Sequence, residues 1–424
     1  MRLYGIFKDN MVFQRDKAMY VFGNGAKGPV NASVCFEDSV LSSGESSVSS
    51  DFSDSLNSSD TSDDGRFTVE LPALPAGGPY TLEVTDGESS AVIRNVYIGE
   101  VWIAGGQSNM EYPLGRADHA SKIVPDLPVT NIHFYQVPVA AGRDDLTSLE
   151  EETSWNIINK DNCYGMSGVA FFFIRKVEEY LKSKGETDLH FGVIGCYLGG
   201  TSVSSWQSAD SLGNTYEGRR FIDEYLDKCS VWSSHEEYLA AETKFADDCE
   251  DYANRVNAEL NKSPYLTYLE MDNIIGGGPW PPPVSPVSIR RPGALFEGMV
   301  LRLVPLSSRG VIFYQGEEDT ASHSEDYAAA FKSMIEEWRS LFLDEDLPFL
   351  FCELPQFPLT SGDTVSEDPS WQRLRGQQKL VADTVPNAYM AEFRECGEVD
   401  NVHPSDKKTP GERLADLAIR FVYG

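Results

Sequence analysis

One serine of this sequence stands where a nucleophile would be well placed. Ser108 follows an apolar run of strand length at residues 101–104, and Gly105 and Gly106 between them allow a tight turn. A hydroxyl just past a strand end is exposed at the edge of the sheet, where backbone N–H groups can face a developing oxyanion. The alternative interpretation is a glycine turn with an incidental serine. The G-x-S-x-G pattern is absent, so an α/β-hydrolase elbow is not supported.

A nucleophilic serine needs a base, and His403 is the candidate. It lies in the stretch VDNVHP, beyond the last predicted strand and before the last predicted helix, which is again the carboxyl edge of the sheet. Asp400 stands three residues earlier and can accept a hydrogen bond from one imidazole nitrogen while the other nitrogen faces Ser108. The D-x-x-H spacing is common in proteins, and Asp400 can equally serve only to turn the loop.

Two further strand ends carry groups that suit an oxyanion. A strand at 189–195 leads to Gly199 and Gly200, and a strand at 310–314 leads to Gln315. Glycine N–H groups and a carboxamide NH2 both direct fixed dipoles without bringing a competing charge. Gly200 can alternatively be present for turn geometry alone. The acidic residues 317–319 would also be favourable at the start of a helix, where carboxylates meet the positive end of the helix dipole.

The elements that must position these loops alternate between strands and helices from about residue 96 onward. Strands buried on both faces read as continuous apolar runs, as VIFY and PFLF do here. Five strands with intervening helices predict an α/β fold, in which helices cover both faces of a parallel five-stranded sheet. Ligands of such sheets bind beyond the carboxyl ends of the strands. The predicted strands are 101–104, 189–195, 310–314, 348–353 and 388–393, and the predicted helices are 167–184, 294–303, 325–342, 371–385 and 409–422.

Residues 1–95 show a different pattern, with short strands separated by turn residues. We predict a small β-rich domain there, a sandwich or jelly roll, with a flexible serine-rich acidic loop at residues 39–64. Residues 96–424 form the predicted catalytic domain. Within it, residues 207–291 combine an acidic helical stretch with a proline-rich run that is incompatible with regular structure, so we interpret them as an insertion. The insertion either covers the active site or elaborates the surface.

The composition excludes several classes of protein. The 424 residues include 35 basic and 66 acidic side chains, and the formal charge of −31 opposes binding to nucleic acid or anionic membranes. No apolar run approaches the ~18–20 residues of a membrane helix. Seven scattered cysteines and six histidines without paired-ligand spacing predict reduced thiols, no metal site and no cofactor.

The start does not read as a signal peptide, so we expect a cytoplasmic protein, although a secreted precursor that has lost its leader would give the same start. The oligomeric state is not predicted.

The four loops, taken in order, resemble the four sequence blocks of the SGNH/GDSL hydrolases, and more closely the sialate O-acetylesterase branch of carbohydrate esterases. The similarity includes FKDNMVFQ at 7–14, IGEVWIAGGQSNME at 98–111, PGALFEGMVLRLVPLSSRGVIFYQGE at 292–317 and HPSDKKTPGERL at 403–414. It covers most of the chain apart from the serine-rich loop and the insertion. The resemblance implies an SGNH-hydrolase-like fold for the α/β domain.

The resemblance also implies roles for individual residues. Ser108 would be the nucleophile and His403 the general base. The oxyanion donors would be the backbone N–H groups of Ser108 and Gly200 together with the side chain of Gln315. Asp400 would orient His403, although some relatives lack this acid and use a main-chain carbonyl instead. A glutamate of the 317–318 pair is a further alternative for that position.

Substrate contacts are expected from Gln107, Trp206 and Glu317. The ring of Trp206 either stacks on a sugar face or packs beneath its loop. Trp280, among its prolines, is a further candidate at the rim of the site, for which surface packing is the favoured interpretation.

The sequence therefore predicts a carbohydrate O-acetylesterase that works through a covalent acetyl-enzyme. The substrate would be an acetylated mono- or oligosaccharide, either a sialate or one derived from hemicellulose. One alternative is an esterase of the same fold that acts on a non-carbohydrate ester. The other is an inactive carbohydrate-binding relative, and the complete set of Ser108, Gly200, Gln315 and His403 argues against it.

Overall fold

The computed structural model describes residues 1–37, 39–46, 65–140, 146–361 and 364–424. Two small sheets lie beside one large mixed sheet. The strands of the described ranges are β1 (Arg2–Leu3), β2 (Val12–Gln14), β3 (Met19–Asn24), β4 (Val30–Phe36), β5 (Ser39–Ser46), β6 (Phe67–Leu71), β7 (Gly77–Thr85), β8 (Ser90–Gly106), β9 (Ile132–Gln136), β10 (Trp155–Ile157), β11 (Phe191–Tyr197), β12 (Gly310–Tyr314), β13 (Phe349–Cys352), β14 (Pro358–Ser361), β15 (Thr364–Glu367) and β16 (Ala388–Ala391).

Side-chain caps fix the start of several helices. Ser167 Oγ accepts a hydrogen bond from the backbone N–H of Ala170, which satisfies a donor at the start of the helix that follows. The helices of the described ranges are α1 (Ser108–Glu111), α2 (Ala120–Ile123), α3 (Leu146–Glu151), α4 (Gly168–Ser183), α5 (Ala209–Gly213), α6 (Tyr216–Cys229), α7 (His235–Leu260), α8 (Tyr268–Ile275), α9 (Ala294–Gly298), α10 (Tyr327–Leu341), α11 (Pro369–Thr384) and α12 (Lys408–Phe421).

The centre of the fold is a parallel run of six strands in the order β9-β11-β8-β12-β13-β16, with β10 antiparallel at one edge. Helices pack on both faces of this run. Trp102 of β8 contacts Phe173 of α4 on one face, and Phe313 of β12 stacks on Phe331 of α10 on the other. The protein therefore has a mixed α/β fold with a large mixed sheet.

The register of the sheet brings three strand ends to one level. Gly106 of β8 is paired with Tyr197 of β11 on one side and with Tyr314 of β12 on the other. The chain segments that leave these three strands therefore start side by side, at the carboxyl edge where ligands of parallel sheets bind.

The prediction of five parallel strands is wrong by one strand, because β9 was not recognised. Its sequence, IHFYQ, is short and interrupted by a histidine, which weakens the apolar pattern of a buried strand. His133 is nevertheless fully buried. Both of its ring nitrogens have partners there: one lies 2.6 Å from the backbone oxygen of Asn10 and the other 2.8 Å from His190 Nδ1. A polar side chain with both groups satisfied is tolerated inside a sheet.

The N-terminal strands form a three-stranded sheet, β1-β3-β6, and extend the large sheet through β4, β5 and β7. Strand β8 runs for 17 residues from this β-rich region into the parallel sheet, so the predicted boundary at residues 95/96 falls within one strand. Part of the predicted serine-rich loop is also a strand, since β5 pairs with β4. Residues 47–64 of that loop lie outside the described residues.

The segment predicted as an insertion, residues 207–291, holds α5 to α8. Its longest helix, α7, has 26 residues and buries none of them, so it projects into solvent on most of its circumference. In the described parts of the chain, we find no helix with the length and apolar character needed to cross a membrane.

Candidate active site

The turn after β8 places Ser108. Gly106 has φ +133°, and a Cβ atom there would lie 2.1 Å from the carbonyl oxygen of Tyr314, so only glycine fits between the two strands. The chain then turns through Gln107 into the short helix α1, of which Ser108 is the first residue. The close approach of β8 to β12 is therefore what brings the serine to the carboxyl edge.

The structure brings together Ser108 and His403, as the sequence predicted. The side chain of His403, which lies in the loop before α12, places Nε2 2.8 Å from Ser108 Oγ. Burial, and to a smaller extent the positive charge of nearby Lys407, lower the pKa of His403 to about 4. The imidazole is thus neutral near pH 7 and able to accept the serine proton.

Asp400 does not occupy the position predicted for it. Its backbone lies in the left-handed region, with φ +55°, and its carboxylate is exposed and accepts hydrogen bonds from Thr360 N at 2.8 Å and Thr360 Oγ1 at 2.6 Å. The backbone N–H of Asp400 donates to the carbonyl oxygen of Pro358. The carboxylate therefore fastens the His403 loop to the hairpin β14–β15 instead of orienting the imidazole.

Other contacts hold the His403 loop near the serine. The backbone N–H of His403 donates to Asn401 Oδ1, and the carbonyl oxygen of Val402 accepts from Asn109 Nδ2 at 3.0 Å. The ring of Tyr268 packs edge-on against the imidazole, with centroids 5.6 Å apart. Among residues 1–37, 39–46, 65–140, 146–361 and 364–424, no acceptor is hydrogen-bonded to His403 Nδ1. The described contacts therefore pair Ser108 with His403 and place no third side chain on Nδ1.

We expect Asp400→Asn to lower kcat by less than about 3-fold, against the ~10⁴-fold loss that follows the same change in a true triad. The reason is that an asparagine Oδ1 can still accept from Thr360 N, while His403 loses no partner. Steady-state kinetics on an acetyl ester, with the melting temperature as a control for the hairpin contact, check this. A loss of about 100-fold or more in a folded variant would restore Asp400 to the reacting centre.

Two backbone N–H groups near the serine have no hydrogen-bond partner in the described chain. Gly199 lies against Ser108, because a Cβ atom on it would be 3.3 Å from Ser108 Cβ, and its own N–H donates to Glu111 Oε2 at 2.6 Å. The N–H groups of Ser108 and Gly200 make no hydrogen bond within the described ranges. Gly200 has φ +65°, a conformation that favours glycine. This geometry suits the two predicted backbone oxyanion donors.

The oxyanion role predicted for Gln315 is contradicted by its hydrogen bonds. Its Nε2 donates to Asp319 Oδ2 at 2.6 Å and to the carbonyl oxygen of Thr201 at 3.0 Å, which uses both hydrogens of the NH2 group. Its Oε1 accepts from the hydroxyl of Tyr327 at 2.9 Å. A buried carboxylate four residues further along the chain is a stronger acceptor than a neutral ester carbonyl, so the side chain ties two loops together.

The three predicted substrate contacts are also buried. Gln107 is 3% exposed, and its carboxamide lies 3.2 Å from Gln315 Nε2. Trp206 is fully buried, and its Nε1 donates to Thr201 Oγ1 at 3.0 Å, so the ring packs beneath the loop and cannot stack on a sugar. Glu317 is 8% exposed and accepts from Asn109 Nδ2 at 2.6 Å. These side chains support the site from below.

A network of buried polar side chains, which sequence reasoning missed, lies behind the serine. Asn109 donates to Glu317 through Nδ2 and accepts from Lys407 Nζ at 2.6 Å through Oδ1. Burial raises the pKa of Glu317 to about 7 and lowers the pKa of Lys407 to about 7, and each group opposes the shift of the other. Because Asn109 also donates a hydrogen bond to the carbonyl oxygen of Val402, this network connects α1 to the loop of His403.

The segment 207–291 contributes side chains to the site on two sides. Tyr268, at the start of α8, packs on His403, and Trp280 packs on Gly200. Trp280 was a candidate for the rim of the site on sequence, whereas nothing in the local sequence distinguished Tyr268 from the other aromatic residues of the segment. Among the residues that the structure describes, no group of three or more His, Cys, Asp or Glu side chains could hold a metal ion.

Comparison with known proteins shows that the sequence is similar to carbohydrate esterases. Residues 286–420 match the family model described as carbohydrate esterase, sialic acid-specific acetylesterase. The sialate O-acetylesterase of Mus musculus is 24% identical over 381 residues, which cover 84% of this chain and 63% of the mouse protein. The sialate O-acetylesterase of Homo sapiens is 22% identical over 449 residues, covering 100% of this chain and 71% of the human protein. The chain thus spans less than two thirds of the length of the mouse relative.

A solved structure shows that the fold is shared. The crystal structure of a carbohydrate acetylesterase from Xanthomonas citri superposes with a TM-score of 0.68 at 24% identity, covering 100% of this chain and 75% of that one. The family model contains the His403 loop and the strand that leads to Gln315, but it begins beyond the turn of Ser108. The contact between Ser108 and His403 is therefore an observation independent of the family match.

Proposed function

We propose that this chain is a serine esterase of the carbohydrate esterase family of sialic acid-specific acetylesterases, and that it removes acetyl groups from sugars. The observation that carries the proposal is the 2.8 Å contact between His403 Nε2 and Ser108 Oγ, beside two unpaired backbone N–H groups. A nucleophile, its base and oxyanion donors are the parts that acyl transfer requires.

The reaction follows from these positions. Ser108 Oγ attacks the acetyl carbonyl carbon while His403 Nε2 takes the hydroxyl proton. The carbonyl oxygen becomes an oxyanion that accepts from the N–H groups of Ser108 and Gly200. As the C–O bond to the sugar breaks, His403 returns the proton to the departing sugar oxygen. Water then attacks the acetyl-enzyme in the same way, and acetate and free Ser108 result.

The dyad has to stabilise an imidazolium without a carboxylate on Nδ1. The imidazole of His403 is instead positioned by the backbone contacts of its loop and by the ring of Tyr268. The network Lys407–Asn109–Glu317 holds the loop through Val402. Preorganisation of this kind supplies the geometry, which is the larger part of general-base catalysis in a closed site.

We expect the acid limb of the pH profile to lie well below that of an ordinary histidine. Burial lowers the pKa of His403 to about 4, and only the neutral imidazole accepts the Ser108 proton. Activity should thus persist as the pH falls from about 7 to about 5 and be half lost near pH 4. Values of kcat/KM across this range, with circular dichroism at each pH, measure the limb.

The variant Lys407→Met tests the charge contribution to that limb. Removing the neighbouring cation should move the limb to higher pH, because the positive charge of Lys407 disfavours the imidazolium. A wild-type midpoint near the unperturbed value of about 6.5 would instead mean that the site does not lower the pKa of the base.

A panel of acetylated oligosaccharides tests the proposed function. The panel includes O-acetylated sialic acid, because the curated relatives carry that name, together with acetylated xylo- and manno-oligosaccharides. Mass spectrometry of each mixture shows which compounds lose acetyl groups. Release of acetate from sugars above the rate for long-chain esters supports the proposal, whereas preference for the long-chain esters contradicts it. The cytoplasmic location stays a prediction.

A further inference from the structure

Trp280 is unusual among the tryptophans of this chain. All seven lie in described ranges; five are buried, Trp232 is half-buried, and Trp280 is 58% exposed. It stands in an irregular proline-rich stretch between α8 and α9. Covering this large aromatic side chain with a ligand or partner would lower the free energy, because it would remove apolar surface from water.

The exposed ring lies beside the reacting centre. A Cβ atom on Gly200 would be 2.3 Å from Trp280 Cη2, so the indole rests directly on that glycine. Gly200 carries one of the two unpaired N–H groups, and Gly199 before it contacts Ser108. An ester whose carbonyl oxygen accepts from Gly200 therefore has its alcohol portion within reach of the indole.

Arg290 borders the same glycines from the other end of the stretch. Its Nε donates to the carbonyl oxygen of Gly199 at 3.2 Å, and its backbone oxygen accepts from Ser205 Oγ at 2.9 Å. The first bond orients the guanidinium and the second holds the backbone, while Nη1 and Nη2 make no hydrogen bond within the described ranges. Burial lowers the pKa of the Arg290 guanidinium, and the negative charges of Glu111 and Glu318 oppose this shift. The guanidinium is thus held in place with donors to spare.

A flat ring and a two-pronged donor are the groups that recognise a pyranose. The C–H face of a sugar packs on an aromatic plane, and adjacent sugar hydroxyl oxygens match the parallel N–H bonds of a guanidinium. A simple alkyl ester has neither feature. The two side chains therefore match the alcohol portion of a sugar ester.

We propose that Trp280 and Arg290 form a sugar-binding subsite, with the indole stacked on the ring that bears the acetyl group and the guanidinium donating to its hydroxyl oxygens. This subsite rests on the proposed esterase function and adds the source of its selectivity. The stretch between α8 and α9 then distinguishes sugar esters from other acetyl esters.

The test compares two substrates, an O-acetylated methyl pyranoside and ethyl acetate, which has no ring to stack. In Trp280→Ala, the ratio of kcat/KM for the sugar ester to kcat/KM for ethyl acetate should fall about 10-fold, mostly through KM, and Trp280→Phe should recover much of it. In Arg290→Lys, which keeps the charge but loses the fork, the same ratio should fall. Tyr216→Ala, which removes another exposed aromatic side chain on α6, is the matched control.

Each outcome decides between the subsite and the esterase function. Failure of the wild type on both substrates overturns the proposed function. Hydrolysis of both with an unchanged ratio in Trp280→Ala overturns the subsite alone, and so does an equal loss on both substrates, which would mean that Trp280 only supports Gly200. Should Trp280→Ala not fold, Trp280→Leu keeps apolar packing on Gly200 without a flat ring and is interpreted in the same way.

Discussion

Ser108→Ala is expected to abolish esterase turnover, with kcat lower by about 10⁶-fold, the loss seen when the nucleophile of a serine hydrolase is removed. The physical reason is that, among the described residues, no other hydroxyl lies on His403 Nε2, so the covalent route closes. The oxyanion donors and the sugar subsite remain, and they account for whatever turnover above solution is left.

The control for this variant is its fold. The substitution removes one oxygen, while the neighbouring contacts of Asn109 with Glu317 and Lys407 stay in place, so the melting temperature should be close to that of the wild type. A fluorophosphonate should phosphonylate Ser108 of the wild type, with fluoride as the leaving group, and the added phosphonyl mass should be absent from the alanine variant. Turnover within about 100-fold of wild type in a folded variant would falsify the nucleophile assignment.

The convergence of the four loops could be predicted from sequence because it depends on topology. Segments that follow parallel strands leave at one edge, whatever the details of packing. The structure follows this rule, because the register pairs Gly106 with Tyr197 and with Tyr314 and so places the ends of the three strands side by side. The pairing of Ser108 with His403 follows from it, as does the placement of Gly200.

The partner of Asp400 could not be predicted, because it lies on a hairpin that the sequence did not reveal. Strands β14 and β15 are four residues each, carry exposed polar side chains and have no apolar alternation to mark them. Thr360 of this hairpin offers a backbone N–H and a hydroxyl to the carboxylate. A local D-x-x-H spacing contains no information on such a competitor.

The sequence could not decide between the two tryptophans for a similar reason. Residue type indicates an aromatic platform equally well at 206 and at 280, and only long-range packing decides which ring meets water. Trp206 is covered by the loop of Thr201 and by Trp338, whose Nε1 donates to its backbone oxygen. Trp280 has proline neighbours, which form no regular element that would cover it.

His403→Ala is expected to lower kcat to a similar extent as Ser108→Ala, again by about 10⁶-fold. Without the imidazole, the hydroxyl of Ser108 keeps its proton at neutral pH and the departing sugar oxygen receives none. The double variant should be no slower than either single variant, because the two side chains act as one unit and either loss closes the same route.

The matched control is His235→Ala, which removes an exposed histidine at the start of α7. It should leave kcat and the melting temperature at their wild-type values. Added imidazole should restore part of the activity of His403→Ala and none of that of Ser108→Ala, since a diffusible base can replace the histidine but not the nucleophile. If the two losses multiply in the double variant, Ser108 and His403 act independently, and the base must be sought on another side chain. If they do not, and Asp400→Asn stays near wild type, catalysis rests on a dyad positioned by Asn401, Val402 and Tyr268.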